Sequence, residues 1–464
     1  MEAGIFAERR RRFADQMVPN SAAILPASTE TIRNHDVHNP FRQNSDFHYV
    51  TGFDEPDAIA VLTKEASGEV QVVMFVRPRD ILAEIWTGVR AGVEGAVERF
   101  GATSAFDLSE ANKQIPGLLE NRDALYYAFG HSEAFDRRVV GWLQSVRGRM
   151  RSGVNPPEQI RDPRAILHEL RLIKSPAELD ALRRACAITR EAHIEAMRAT
   201  HAGLNERQIV ALLEFVYRNA GSERNGYNHI VAGGANACIL HYDLNNQALR
   251  EGDLLLIDSG CEFDYYAADI TSTFPVSGRF SPAQARIYTY VLRAQRVAMA
   301  ACKPGNTYEQ VVNAARDSLV GALLELGLIQ GTVEEIAAKE RELIEHRRKT
   351  HASGAIRPEE LPYKQFYPHG IGHWLGMDVH DVGRYRDDPD HSTVLRPGMV
   401  LTIEPGLYFY DGYDSCPKEW AGIGVRIEDD ILITDTGHEN LTAGTPHTIE
   451  EIEATMAQPT RLPL

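Results

Sequence analysis

The chain reads as an α/β (α+β) protein of two domains, an amino-terminal α/β domain followed by a domain made of two similar halves. Three observations predict this. Its 464 residues exceed one ordinary domain. Up to about residue 130 the apolar signal comes in strand-length runs between helical stretches. Beyond residue 174 one order of helix and strand signals occurs twice.

The short runs of the first domain are "AAILPA" near 22, "FHYVTGF" at 47, "AIAVL" at 58, "VQVVMFV" at 70 and "ALYYAFG" at 124. A helix over about 133–150 follows, and "SGVNPPEQIRDPR" then breaks the pattern with three prolines. The boundary falls between 160 and 174, which gives domains over 1–170 and 171–464. In the second domain Ser175-Pro176-Ala177-Glu178 is a capping box with proline at the first helical position, opening a helix to about His201. Ser281-Pro282-Ala283-Gln284 repeats the device for a helix to about Cys302. Second helices start near Asn205 and Thr307, and each pair leads to strands: "LLLIDSG" and "YYAADITSTFPV", then "MVLTIEPGLYF" and "GVRIEDDILIT". A period of about 100 residues is too long for a solenoid and predicts an internal duplication, two αα-ββ halves sharing one core. The polar stretch 329–362 reads as a solvated helical face.

Composition narrows the function. With 43% hydrophobic and 25% charged residues the chain is an ordinary globular protein. A net charge of -16 argues against nucleic acid as partner, since phosphate contacts need a basic face. No run approaches the roughly 18 apolar residues of a membrane span. The start, with Arg9 to Arg12 and no apolar segment behind them, lacks the form of a secretory signal. No membrane partner and a cytoplasmic location are the expectation. Five scattered cysteines, none in a C-x-x-C pair, suggest reduced thiols.

Chemistry concentrates in "FYPHGIGHWLGMDVHD", residues 366–381, with His369, His373 and His380. A zinc-protease helix is disfavoured because Gly370 and Gly372 would each cost roughly 1 kcal/mol inside it. An extended or looped segment fits better, and His373 and His380 converge only if the chain bends, for which Gly376 is available. Asp258, Asp269, Glu404 and Glu428 lie in or at the ends of apolar strands, where an unpaired carboxylate is costly. Singly, each could be an edge-strand acid in solvent; four, two per half, need a common cause. A shared cation supplies one. With neutral His373 the set carries a charge of about -4, which two divalent ions balance while acidifying a water between them. Oxygen donors with one nitrogen favour manganese, with cobalt or zinc feasible and magnesium less suited. A hairpin can set Asp258 beside Asp269. Arg426, two residues before Glu428, shares its face and can orient a carboxylate.

These residues resemble a known family. "HGIGHWLGMDVHD", preceded by Asp258 and Asp269 and followed by Glu404 and Glu428, is similar to the signature of the proline-specific pita-bread peptidases, aminopeptidase P and prolidase. "NSDFHYVTGFDEPDA" (44–58) and "IWTGVRAG" (85–92) look like the amino-terminal domain of aminopeptidase P. The resemblance implies a pita-bread catalytic domain. It makes Asp258, Asp269, His373, Glu404 and Glu428 the ligands of two metal ions, with Asp269 and Glu428 bridging. His369, His380, His241 and Tyr227 would then line the substrate pocket, and Trp86 would reach the pocket of a neighbouring subunit in a homo-oligomer, dimer or tetramer. The implied reaction is hydrolysis of the amino-terminal Xaa-Pro bond of peptides by a hydroxide bridging the metals, with Glu404 passing a proton to the proline nitrogen. Xaa-Pro dipeptidase (prolidase) activity is the alternative. Methionine aminopeptidase fits the amino-terminal motifs less well, metal-free creatinase fails on the intact ligand set, and a non-enzymatic binding module would have no use for it. His48, where the family often has another aromatic, and the long polar stretch 329–362 depart from the pattern.

Overall fold

A computed structural model describes residues 3–351, 354, 356–413 and 416–462. The chain divides into two compact units, Met1–Arg171 and Leu172–Leu464.

The first unit is built on a six-stranded mixed sheet in the order Ser104–Asp107, Val70–Val76, Ile59–Lys64, Ser21–Pro26, Ala124–Tyr126 and Gln159–Arg161. Four of the apolar runs are its central strands, and Ile24, Val61, Phe75 and Leu125 pack in its core with Ile115, Val139 and Trp142. The run at 47 is instead a helix, Ser45–Thr51. The Asn44 side chain caps it by accepting from Phe47 N–H, and Gly52 ends it at φ 67, so caps outweigh the strand preference of Phe47, Tyr49 and Val50. His48 is buried there, edge-on to the Phe6 ring at 5.5 Å. The proline-rich break at 152–164 contains the short edge strand Gln159–Arg161.

In the second unit both capping boxes form. Helices Pro176–Ala199 and Pro282–Ala301 start on Ser175 and Ser281, and their successors Glu206–Asn219 and Tyr308–Glu325 on Asn205 and Thr307. Each half carries a three-stranded sheet. The first orders Ile230–Gly233, Leu254–Ser259 and Ile270–Pro275; the second, Val400–Ile403, Asp429–Ile433 and His438–Asn440. The two sheets meet at one bridge, Thr271 with Glu428, where Glu428 N–H donates to Thr271 O at 3.0 Å. Between the two strands of the first pair, a small hairpin of Cys261–Phe263 and Tyr266–Ala267 intervenes. The polar stretch forms helix Val333–Thr350, whose Glu340 turns inward to Arg316 and Tyr363; residues 352, 353 and 355 of that stretch lie outside the described residues. Among the described residues no helix is long and apolar enough to cross a membrane.

Candidate metal centre

The segment 371–375 runs extended and antiparallel beside strand Val400–Ile403. Glu404 N–H donates to Ile371 O (2.7 Å), Thr402 N–H to His373 O (2.9 Å) and Leu375 N–H to Val400 O (3.0 Å). Close approach explains two glycines, the first against this strand and the second within the turn that follows. A Cβ on Gly372 would sit 2.0 Å from Thr402 O, and one on Gly376 would sit 2.1 Å from Asp381 Oδ2. The chain turns back after Gly376, Asp381 N–H closes onto Trp374 O at 2.8 Å, and the His373 and His380 rings come to 4.3 Å. Lys174 Nζ anchors the turn from below, 3.0 Å from Asp381 Oδ2 with both side chains buried.

Asp258 pairs with Thr271 across the two long strands, and Asp269 lies two residues before Thr271, so strand pairing brings the first two acids together. The Tyr227 hydroxyl joins them, 2.6 Å from Asp258 Oδ1 and in contact with Asp269 Oδ1. From the second half, Glu404 follows strand Val400–Ile403, and Glu428 lies between Gly424–Arg426 and Asp429–Ile433. All four acids, with His373, His369, His380, His241, Tyr227 and Arg426, line one cavity of about 610 Å³. Donor atoms of Asp269, His373 and Glu428 lie within 4.8 Å of one another. Glu404 Oε1 is 3.7 Å and Asp269 Oδ2 3.4 Å from His373 Nε2. Trp86 lies on helix Ile81–Thr87 of the other unit, 87% exposed, and is not among the lining residues.

Electrostatics mark the acids as mutually unfavourable. Burial lifts the Glu404 carboxyl to about 7 despite His373 and Arg426, and burial with the neighbouring acids pushes Glu428 well above its ordinary range and Asp269 upward. His373, though disfavoured as a cation by burial, is held up to about 9 by Asp269 and Glu404. His369 is driven down to about 3 by burial and then by Arg426, so its imidazole is neutral. These residues fit a divalent cation. Three acids raised together need positive charge, the donors are hard oxygens plus one nitrogen, and His373 Nδ1 lies 3.1 Å from Trp374 O, which turns Nε2 to the acids.

Two residues, Tyr408 and Thr271, extend the site beyond what the sequence identified, and both meet the expected Arg426. Tyr408 OH is 2.7 Å from His369 Nε2 and accepts from Arg426 Nη1 at 3.0 Å. Thr271 Oγ1 donates to Glu428 Oε2 at 2.6 Å and accepts from Arg426 Nε. Arg426 Nη2 donates to Asp258 Oδ2 at 2.5 Å, so one guanidinium ties the two halves. Alternation from Asp269 would have revealed Thr271, two residues on along the strand. Nothing in the sequence marks the Lys174–Asp381 pair, separated by 207 residues.

A duplicated αα-ββ fold whose halves converge on clustered acids and an imidazole in an open cavity defines a metallohydrolase. Comparison with known proteins narrows the class. A family model described as metallopeptidase family M24 matches residues 180–435, and one described as aminopeptidase P, N-terminal domain, matches residues 6–126. The Xaa-Pro aminopeptidase of Escherichia coli (strain K12) is 42% identical over 451 residues, 97% of each chain. The solved aminopeptidase PepP of Pseudomonas aeruginosa is 44% identical with a TM-score of 0.91, covering 98% of both chains. A zinc-substituted Escherichia coli aminopeptidase P in complex with product is 41% identical, with the same TM-score and coverage of 98% of each. The chain belongs to metallopeptidase family M24 and, carrying the aminopeptidase P amino-terminal domain as well, to its aminopeptidase P branch.

Proposed function

We propose that this chain is an Xaa-Pro aminopeptidase, releasing the amino-terminal residue from peptides with proline at the second position. One observation carries the reading: four acids and an imidazole from both halves line a single cavity in a chain similar along its length to such enzymes. Asp258, Asp269, His373, Glu404 and Glu428 would hold two divalent ions, with Asp269 and Glu428 shared, and the donor set favours manganese over cobalt or zinc. When bound, such ions supply Lewis acidity toward the scissile carbonyl and acidify water.

The chain's own residues do the rest. Tyr227 and Arg426 hold Asp258 and Asp269 in one orientation. Neutral His369, held by Tyr408 OH at Nε2 and by Gly370 O at Nδ1, places its ring beside Glu404, whose Oε2 is 3.8 Å from His369 Nδ1. His380 and His241 present further imidazoles to the substrate. Glu404 takes up a proton and passes it to the departing proline nitrogen. A prolyl amide suits the cavity because it brings no N–H that must be satisfied there. The residues up to 170 would form an accessory domain and those from 171 the catalytic one. Helix Ile81–Thr87, with Ile81, Leu82, Ile85 and Trp86 all more than 70% exposed, supports a homo-oligomer, dimer or tetramer, in which Trp86 meets a second copy. Five free thiols support a cytoplasmic location.

Product analysis with metal-free protein and added manganese tests this. Xaa-Pro-Yaa tripeptides should yield free Xaa and Pro-Yaa; cleavage of Xaa-Pro dipeptides alone would establish the dipeptidase alternative.

A further inference from the structure

His241 reaches the cavity from a long loop, 234–247, between strands Ile230–Gly233 and Leu254–Ser259. Its imidazole is exposed and has no hydrogen-bond partner among the described residues, so the hydrogen bonds that hold it in place act through the loop that carries it. That backbone converges on one carboxylate. Glu206 opens helix Glu206–Asn219 and is 0% exposed. Its Oε1 accepts from Gly233 N–H (2.8 Å) and Asn236 Nδ2 (3.1 Å), and its Oε2 accepts from Tyr242 OH (2.9 Å) and Gln247 N–H (2.8 Å). The donors come from the start, middle and end of the loop. Asn245 adds a second tie, accepting from Val231 N–H and donating to His229 O, both at 2.8 Å, from a left-handed φ of 44.

We infer that Glu206 is a positioning residue for substrate binding: its buried carboxylate, four times hydrogen-bonded, fixes the loop from which His241 projects beside the anchored Tyr242. This rests on the reading that the cavity takes Xaa-Pro peptides. The chemistry demands an acid. Both carboxylate oxygens face two donors, so the isosteric Glu206→Gln variant must turn an NH2 group toward N–H donors on one side, leaving buried groups opposed. Placed in the first turn of its helix, a carboxylate is also favoured by the helix dipole. Glu206→Asp keeps the charge and the acceptors on a shorter arm, so the expected order differs from that of a filler of space.

The test uses full-length, manganese-loaded protein and an Xaa-Pro-Yaa tripeptide, measuring kcat, KM, bound manganese and the thermal midpoint. Glu206→Gln should raise KM about tenfold, the equivalent of one or two buried hydrogen bonds, with manganese retained and kcat changed by less than about threefold. Glu206→Asp should recover most of that KM. Combined with His241→Ala, Glu206→Gln should add nothing to the KM of His241→Ala alone, because both act through one group. A KM for Glu206→Gln within twofold of the parent, or effects that multiply in the double variant, overturns the inference. If Glu206→Gln does not fold, Tyr242→Phe, removing one of the four bonds, should raise KM by roughly threefold; an unchanged KM there overturns it equally. A parent enzyme that leaves the tripeptide intact fails the functional reading itself, and the inference falls with it, an outcome visible before any variant is made.

Discussion

Carboxylates largely shielded from water occur in both units and meet opposite fates. In the first, Asp46 sits 2.7 Å from Arg171 Nη1 and 3.3 Å from His168 Nε2. Burial would raise its carboxyl, but the hydrogen bond to His168 and the Arg171 charge hold it down at about 2. In the second unit Asp269, Glu404 and Glu428 crowd into one cavity, where burial and the neighbouring acids outweigh His373 and Arg426 and push all three carboxyls up. An acid matched by cations of its own chain is a structural ion pair. Acids crowded against one another in a cavity are incomplete as protein alone, and the charge they require comes from outside the chain. Lys174 and Asp381 show that the second unit also builds the first kind of pair, right under the histidine segment.

The contrast can be broken at its strongest point first. Asp269→Ala or Glu428→Ala should abolish both metal retention and peptide cleavage, read by elemental analysis and product assay; an active, metal-retaining variant would place these acids in the structural class. Next in size, Lys174→Met removes one partner of the buried Lys174–Asp381 pair and should cost about 3–5 kcal/mol in denaturant unfolding. The Lys174→Met/Asp381→Leu double variant should regain much of that loss. Arg426→Gln removes the donor to Asp258 and should lower metal affinity or kcat/KM by about 10–100-fold, with the fold intact by circular dichroism. The smallest effect concerns Asp46. Its folded value lies below the ordinary 3.8, so its stabilisation is complete above pH 4 and disappears as pH falls toward 2. The unfolding free energies of the parent and Asp46→Asn should differ by about 2 kcal/mol at neutral pH and converge near pH 2; a gap that persists in acid would mean the pair stabilises by packing.

Local signals were legible wherever the physics is local. Capping boxes at Ser175 and Ser281 start helices by satisfying their own first N–H groups, and alternating apolar runs mark the strands. The same logic explains the exception at 47, where Asn44 and Gly52 close a helix around residues that favour strands. The acids stood out because each violates the pattern around it. Tyr408 and Glu206 did not, since a tyrosine in a strand and a glutamate in a first helical turn break no rule; only their partners, at Arg426 and across the 233–247 loop, reveal what they hold.

By itself the sequence determined the duplicated order of elements, the glycines that allow the histidine segment to lie against a strand, and the acids that do not belong in apolar surroundings. These follow from backbone sterics and from the cost of burying charge, both properties of a residue and its near neighbours. Tertiary structure alone decided which donors meet. The bridge of Thr271 to Glu428, the reach of Arg426 to Asp258, and the closure of Lys174 onto Asp381 join segments more than 150 residues apart. Contacts of that kind leave no local trace, because they are set by how segments distant in the chain pack against one another.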